Sequence, residues 1–192
     1  MKREDYLAIL KQRLSKERYI HSLGVEETAV HLARIYNLDE RKAALAGLMH
    51  DYAKDMKKEM LLKKAVEFGI VINDVEINAY QVLHGPVGAK LLQQECGIDD
   101  EEVLQAIAKH TTGGKHMTEL EKIVYLADYI EPNRDLPAVD EIRRKAEFDL
   151  DGAIFLVIEQ TFVHLLRKKV FIDQNTVDLW NSLVKKKGEI DS

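Results

Sequence analysis

The chain has 192 residues and a formal net charge of −5, and 46% of its residues are hydrophobic against only 10 glycines and 3 prolines. This is a globular composition, which excludes disordered and fibrous classes, and the charge disfavours an unspecific nucleic-acid binder, since a phosphate backbone demands a dominant basic surface. A single cysteine, Cys96, excludes an internal disulfide and any CxxC motif, so metal chemistry must use histidine and carboxylate, and Cys96 itself reads as a small core residue.

The amino-terminal MKREDYLAIL carries charges where a secretory leader needs an apolar run, and no later stretch approaches the roughly 18 apolar residues of a membrane span. A soluble cytoplasmic protein with no membrane partner is expected. In chain order, apolar residues recur at helical spacing almost throughout. Residues 3–15 carry Tyr6, Leu7, Leu10 and Leu14, residues 25–36 carry Val25, Ala29, Leu32 and Tyr36, and residues 40–53 are apolar on nearly every side around AALAGLM. Helices over 56–68, 86–95 and 100–110 follow, with Pro86 in the first turn of the second. Thr118 and Glu121 form a capping box that starts a helix over about 119–131, which Pro132 stops. Helices over 138–146, 149–167 and 176–187 complete the chain, while Gly69–Val75 and Lys169–Asp173 read as briefly extended. No repeat, low-complexity tract or linker breaks the series, so an all-α single domain over residues 1–192 is expected.

Against this apolar background, several ionisable residues fall on inward faces. His21 lies four residues before Val25 on the buried stripe, and His50 with Asp51 stands on the apolar helix. His110 follows Ile107 by three, and Asp128 follows Val124 by four. His84, in LHGP, stands immediately before a helix start, where free backbone N–H groups favour an anion. A buried carboxylate without a partner costs several kcal/mol, so such groups are normally paired or bound to metal. Adjacent helical residues project about 100° apart, so His50 and Asp51 would grip one ion from two sides, or Asp51 would bridge two.

In their order along the chain, His21, the His50–Asp51 pair and the distant Asp128 resemble the metal-binding pattern of the HD-domain phosphohydrolases. More narrowly, ERYIHSLGV, AGLMHDYAK, LHGPVGA, AIAKHTTGG and VYLADYIEPNR are similar to successive motifs of the bacterial YqeK family of symmetrical diadenosine tetraphosphate hydrolases, over residues 17–134. The resemblance implies a compact HD-domain helical bundle, with its metal-site core at about 17–134 and a helical segment at about 149–192. It also implies a divalent cofactor, iron foremost, and cleavage of diadenosine tetraphosphate into two ADP. His21, His50, Asp51 and Asp128 would be the metal ligands; His84 and His110 match family histidines that either complete a second metal site or contact phosphate oxygens. The cofactor is thus one or two ions, and an N/O donor set leaves manganese, zinc and nickel open beside iron. Asp51 would orient the attacking water, with His84 and His110 as its catalytic neighbours.

The basic residues point to a polyphosphate. Arg18 lies three before His21 and Lys54 three after Asp51, Lys109 precedes His110, Lys115 follows the TTGG turn and Arg134 closes EPNR. Thr111 and Asn133 join these as expected substrate contacts. The segment KKVFIDQNTVDLWN reads either as a lip that covers a base, with Ile172 and Asn175 contacting the nucleotide, or as a connector whose Phe171 and Ile172 fill the core. Of the remaining histidines, His31 and His116 read as surface residues, and His164 sits on an apolar helix that is either central core or a homodimer interface. Three classes of function fit these residues. They are a dinucleoside polyphosphate or purine nucleotide phosphohydrolase, a nucleotide-sensing module of slow turnover, and a scaffold whose inward histidines pair with carboxylates.

Overall fold

The structure, a computed structural model, describes residues 1–136 and 138–190; residues 191 and 192 of the expected C-terminal segment lie outside the described residues. The helices are α1 (Arg3–Arg13), α2 (Lys16–Ile35), α3 (Glu40–Met49), α4 (Lys58–Glu67) and α5 (Asp74–Asn78), then a 3-10 turn (Tyr80–Leu83). They continue as α6 (His84–Cys96), α7 (Glu101–Lys109), α8 (Glu119–Ile130), α9 (Val139–Ala146), α10 (Leu150–Lys168) and α11 (Gln174–Ile190), with no strand among the described residues.

Local chemistry sets most of the starts. Ser15, Asp39, Asp100, Thr118 and Asp149 each accept hydrogen bonds from backbone N–H groups of the first turn that follows. The Thr118–Glu121 box is reciprocal, with Thr118 N–H donating to Glu121 Oε2 at 3.0 Å and Glu121 N–H donating to Thr118 Oγ1 at 3.3 Å. Two boundaries depart from the periodicity. Helix α2 begins at Lys16 rather than 25 because Ser15 caps it and tertiary packing holds Gly24 inside it. Helix α3 ends at Met49 rather than 53: the chain continues in tight i→i−3 turns, Tyr52 N–H to Met49 O at 3.1 Å and Lys54 N–H to Asp51 O at 2.9 Å. The stretch read as extended over 69–75 is irregular from Ile70 to Asn73 and then enters α5, which an Asn73–Glu76 capping box starts.

Helices α2, α3, α7 and α8 pack on one another around the core, with α6 on α7 and α10 on α8 and α9. Their facing residues are small or medium, such as Ala29, Ala43, Ala46, Ala106, Ile107, Val124 and Ala127, all fully buried. At Gly85 backbone meets backbone: a Cβ there would lie 2.6 Å from the Ala108 carbonyl oxygen, so α6 packs directly on the end of α7. Cys96 is buried as expected, with its Sγ 3.9 Å from Tyr52 Oη.

Candidate metal centre

The ends of helices, more than their middles, build the site. His21 comes from the second turn of α2 and Asp128 from the last turn of α8. His50 and His110 are the residues that end α3 and α7, Asp51 is in the turn beyond His50, and His84 is the first residue of α6. Asp51, His50, His84 and His110 are at most 2% exposed and His21 is 7% exposed.

The four imidazoles share an orientation. His50 Nδ1–H donates to Gly47 O at 2.7 Å, His110 Nδ1–H to Ile107 O at 2.7 Å, and His84 Nδ1–H to Gln81 O. In each case the acceptor is the carbonyl three residues back, at the end of a helix or 3-10 turn. His21 Nδ1–H donates instead to a carboxylate, Glu131 Oε1, at 3.1 Å. Carbonyls and carboxylates only accept, so each Nδ1 carries a proton, and in the neutral imidazole each Nε2 presents a lone pair inward.

Those lone pairs meet carboxylate oxygens. Asp51 Oδ2 lies 3.3 Å from His50 Nε2 and 3.9 Å from His21 Nε2, and Asp51 Oδ1 lies 3.0 Å from His84 Nε2 and 3.6 Å from His110 Nε2. Asp128 Oδ1 is 2.9 Å from His21 Nε2 and 3.8 Å from His50 Nε2. His84 Nε2 and His110 Nε2 face each other at 2.9 Å, both acceptors in this tautomer. His21 Nε2, His50 Nε2 and Asp51 Oδ1 are buried without an aligned hydrogen bond. Three buried acceptors without a donor are the complement of a cation, and the ligand set of imidazole nitrogens and carboxylate oxygens suits iron, manganese, zinc or nickel. Ligand atoms within 4.8 Å of one another occur in the groups His21–His50–Asp51, His50–His110–Asp128 and Asp51–His84–His110. Two of these groups form lobes that share Asp51, and the third, His50–His110–Asp128, spans them.

Electrostatics follow from this packing. Burial alone would raise the Asp51 carboxyl, but charge on His50 and hydrogen bonds from His110, His50 and His84, where these rings turn a proton toward it, hold it well below the usual carboxylate range; a cation takes the place of those protons where Nε2 is bare. Asp128 is likewise opposed by burial and held low by His21, His50 and His110. Burial, with His110 and Lys54 nearby, lowers the His84 imidazole to about 4 against the pull of Asp51.

Three cations close the mouth. Arg18 Nη1 is 3.0 Å from Asp51 Oδ2, Arg134 Nη2 is 2.9 Å from Asp128 Oδ1, and Lys54 Nζ is 3.8 Å from Asp51 Oδ1 and 3.3 Å from His84 Nε2. Each is about 30% exposed, anchored below and open above. Thr111 Oγ1 joins the second lobe, 2.9 Å from His110 Nε2 and 3.2 Å from His84 Nε2.

Other expected contacts stand elsewhere. Lys109 turns its ammonium onto the buried Glu121 at 2.7 Å, and the Asn133 amide donates to Glu131 Oε2 at 2.9 Å. Lys109, Lys115 and Asn175 line a separate cleft of about 390 Å³ beside Gly113, while Ile172 is half-buried and Phe171 is 51% exposed rather than core. The backbone N–H of His84 is bonded to Gln81 O, and its side chain faces Asp51 and His110. His31 is exposed and bonded to Glu147, and His116 and His164 are exposed, so His164 is not core. Sequence reasoning missed Glu131 altogether. It is 2% exposed, and its only signal was a position three residues after Asp128.

Such a site defines a helical protein built around a buried His/Asp metal centre with a cationic rim. A family model described as HD domain matches residues 18–133, and the chain belongs to that family. A Bacillus subtilis (strain 168) protein named "Bis(5'-nucleosyl)-tetraphosphatase, symmetrical" is 44% identical over 184 residues, 96% of this chain and 98% of its own. A Staphylococcus aureus (strain NCTC 8325 / PS 47) protein of the same name is 42% identical over 177 residues, covering 90% of each chain. Among solved structures, a predicted HD superfamily hydrolase from Clostridium acetobutylicum, described as involved in NAD metabolism, superposes with a TM-score of 0.94 at 41% identity, over 97% of this chain and 98% of that one.

Proposed function

We propose that this chain hydrolyses dinucleoside tetraphosphates symmetrically, with diadenosine tetraphosphate giving two ADP. The observation that carries the reading is the two-lobed acceptor cluster under a cationic rim, in a chain similar along nearly its whole length to proteins named for that activity. In the reaction the oxygen of one water bonds to one of the two central phosphorus atoms. The bridging oxygen leaves with the other half, so the atoms of one water and one tetraphosphate become two diphosphates.

His21, His50, Asp51 and Asp128 would hold one divalent ion, and Asp51, His84 and His110 a second. Such ions supply Lewis-acid neutralisation of phosphoryl charge and a water acidic enough to ionise near neutral pH. Iron is proposed as the native metal on the family resemblance. The chain's own residues do the rest. Asp51, facing both lobes, orients the water, and its held-down pKa keeps it an acceptor. Arg18, Lys54 and Arg134 meet the phosphoryl oxygens, where charge-assisted hydrogen bonds oppose the charge that builds during transfer. Thr111 fixes the second lobe. Lys115, Ile172 and Asn175 lie toward the C-terminal segment and are proposed to bound the nucleoside. Lys109 and Asn133, held by Glu121 and Glu131, would have to exchange partners to touch substrate.

No described helix is long and apolar enough to cross a membrane, and a cytoplasmic location is proposed. A homodimer through the exposed apolar end of α10, where Leu166 is 65% exposed, belongs to the same proposal. The test is product analysis. Protein loaded with Fe²⁺ or Mn²⁺ is expected to convert diadenosine tetraphosphate to ADP alone. ATP plus AMP would overturn symmetrical cleavage, and turnover of NAD but not of the tetraphosphate would favour the second reading that the Clostridium protein's description raises.

A further inference from the structure

Three of the four inward imidazoles lean on neutral backbone carbonyls, and His21 alone leans on a charge. We infer that Glu131 is a positioning residue that aims His21 Nε2 and makes the His21 lobe the tighter of the two cation sites. This rests on the metal reading above.

Glu131 is held for such a task from every side. Its Oε1 accepts from His21 Nδ1–H at 3.1 Å, and its Oε2 accepts from Asn133 N–H at 2.8 Å and from the Asn133 amide at 2.9 Å. The backbone that carries it is pinned by Arg143, which donates to the carbonyls of Ile130 at 2.9 Å, Glu131 at 2.8 Å and Arg134 at 3.0 Å. Room for the carboxylate comes from Gly24, one turn along α2 from His21, where any Cβ would collide with Glu131 Oε2. A carboxylate behind a ligating imidazole fixes the ring and strengthens its lone pair more than a neutral carbonyl does, and loss of such partners typically costs about 10–100-fold in metal affinity. With Glu131 in place, the His21 lobe has three carboxylates acting on it, while the His84 lobe has Asp51 and, through His110, Asp128.

Two substitutions separate charge from space. Glu131→Gln keeps the size of the side chain but removes its charge and one of its two acceptor oxygens, so His21 and Asn133 can no longer both donate to it. Gly24→Ala keeps the charge and every ligand but displaces the carboxylate. Mn²⁺ is titrated into metal-free protein and followed by the electron paramagnetic resonance of free Mn²⁺, with circular dichroism as a check on helicity. For both variants the tighter class of sites is expected to weaken by about 10–100-fold while the weaker class is unchanged. The ¹⁵N shifts of His21 in the metal-free protein should move, and those of His50, His84 and His110 should not. A parent chain that binds no Mn²⁺ would sink the metal reading itself. A parent that binds it, with either folded variant matching its tight affinity, would overturn the role of Glu131 alone.

Discussion

Around the metal centre, helix ends bury five of the six proposed ligands within an apolar core, and each imidazole is held by an acceptor behind it. At the other end of the molecule, α10 starts with Leu150, Ala153, Ile154, Val157 and Ile158 buried, then runs out of neighbours, leaving Val163 40% and Leu166 65% exposed. Both regions come from strongly apolar sequence. What separates them is the number of elements that converge, since α2, the turn after α3, α6, α7 and α8 meet at one point. Helix α11 meets α10 through ring contacts of Trp180 with Phe155 at 4.9 Å and, beyond residue 160, with Phe162 at 5.7 Å. Preorganisation needs convergence, so the chemistry is expected to fail sharply when the first region is altered and gradually when the second is.

The sharpest break is Asp51→Ala. It removes the one residue that faces both lobes and leaves the surrounding imidazoles without their shared counter-charge. Hydrolysis is expected to fall by at least about 10³-fold, about 4 kcal/mol of barrier, and retained metal to drop below stoichiometric. Far-ultraviolet circular dichroism should stay close to parent. Survival of activity would place the reaction elsewhere.

How the pair His50–Asp51 was legible, and how it was not, explains why this prediction targets a turn. Apolar flanks marked both residues as inward. The helix end was invisible in AALAGLMHDYAK, because it depends on His50 taking the Gly47 carbonyl that would otherwise continue the ladder to Asp51 N–H. Long-range orientation was harder still. Glu131 follows a helix and precedes a proline, so it reads as a loop charge, while its partner His21 lies 110 residues upstream. Lys109 was placed correctly beside His110, but its partner Glu121 is a capping-box residue whose second bond no local pattern announces. Helix existence, by contrast, was legible nearly everywhere, because periodicity and caps are local; α5 and the 3-10 turn were missed as too short to show a period.

The rim should respond less than the centre. Arg18→Gln removes a guanidinium that reaches Asp51 Oδ2 at 3.0 Å and still faces solvent. A lost charge-assisted hydrogen bond is worth about 1.5–3 kcal/mol, so kcat/KM for diadenosine tetraphosphate should fall by about 10–100-fold. Steady-state kinetics at fixed metal concentration would check this. An unchanged kcat/KM would show that Arg18 serves only the fold. Because Arg18 also stabilises the Asp51 charge, metal content must be measured on the same preparation.

Thr176 tests the seam between the regions, since its hydroxyl donates to Thr112 O at 3.3 Å and so ties α11 to the turn after His110. Thr176→Ala should cost about 0.5–1.5 kcal/mol, seen as a melting temperature lower by about 1–6 °C. If the C-terminal segment encloses the nucleoside, KM should rise with kcat held. A matching fall in kcat would extend the convergent region to α11.

The smallest effect is expected at Leu166, where the contrast between regions is most exposed to challenge. Its side chain is 65% exposed on α10, and surface substitutions of that kind usually change monomer stability by within about 0.5 kcal/mol. Leu166→Ser should therefore leave the melting transition nearly unchanged at concentrations where the chain is monomeric. In a homodimer formed through this face, the same change would remove buried apolar area from both copies, and sedimentation should show weaker self-association while hydrolysis per chain stays the same. A large loss of activity with Leu166→Ser, at unchanged metal content, would mean that the loosely packed end is coupled to the centre after all, because no polar contact of the site reaches this residue directly.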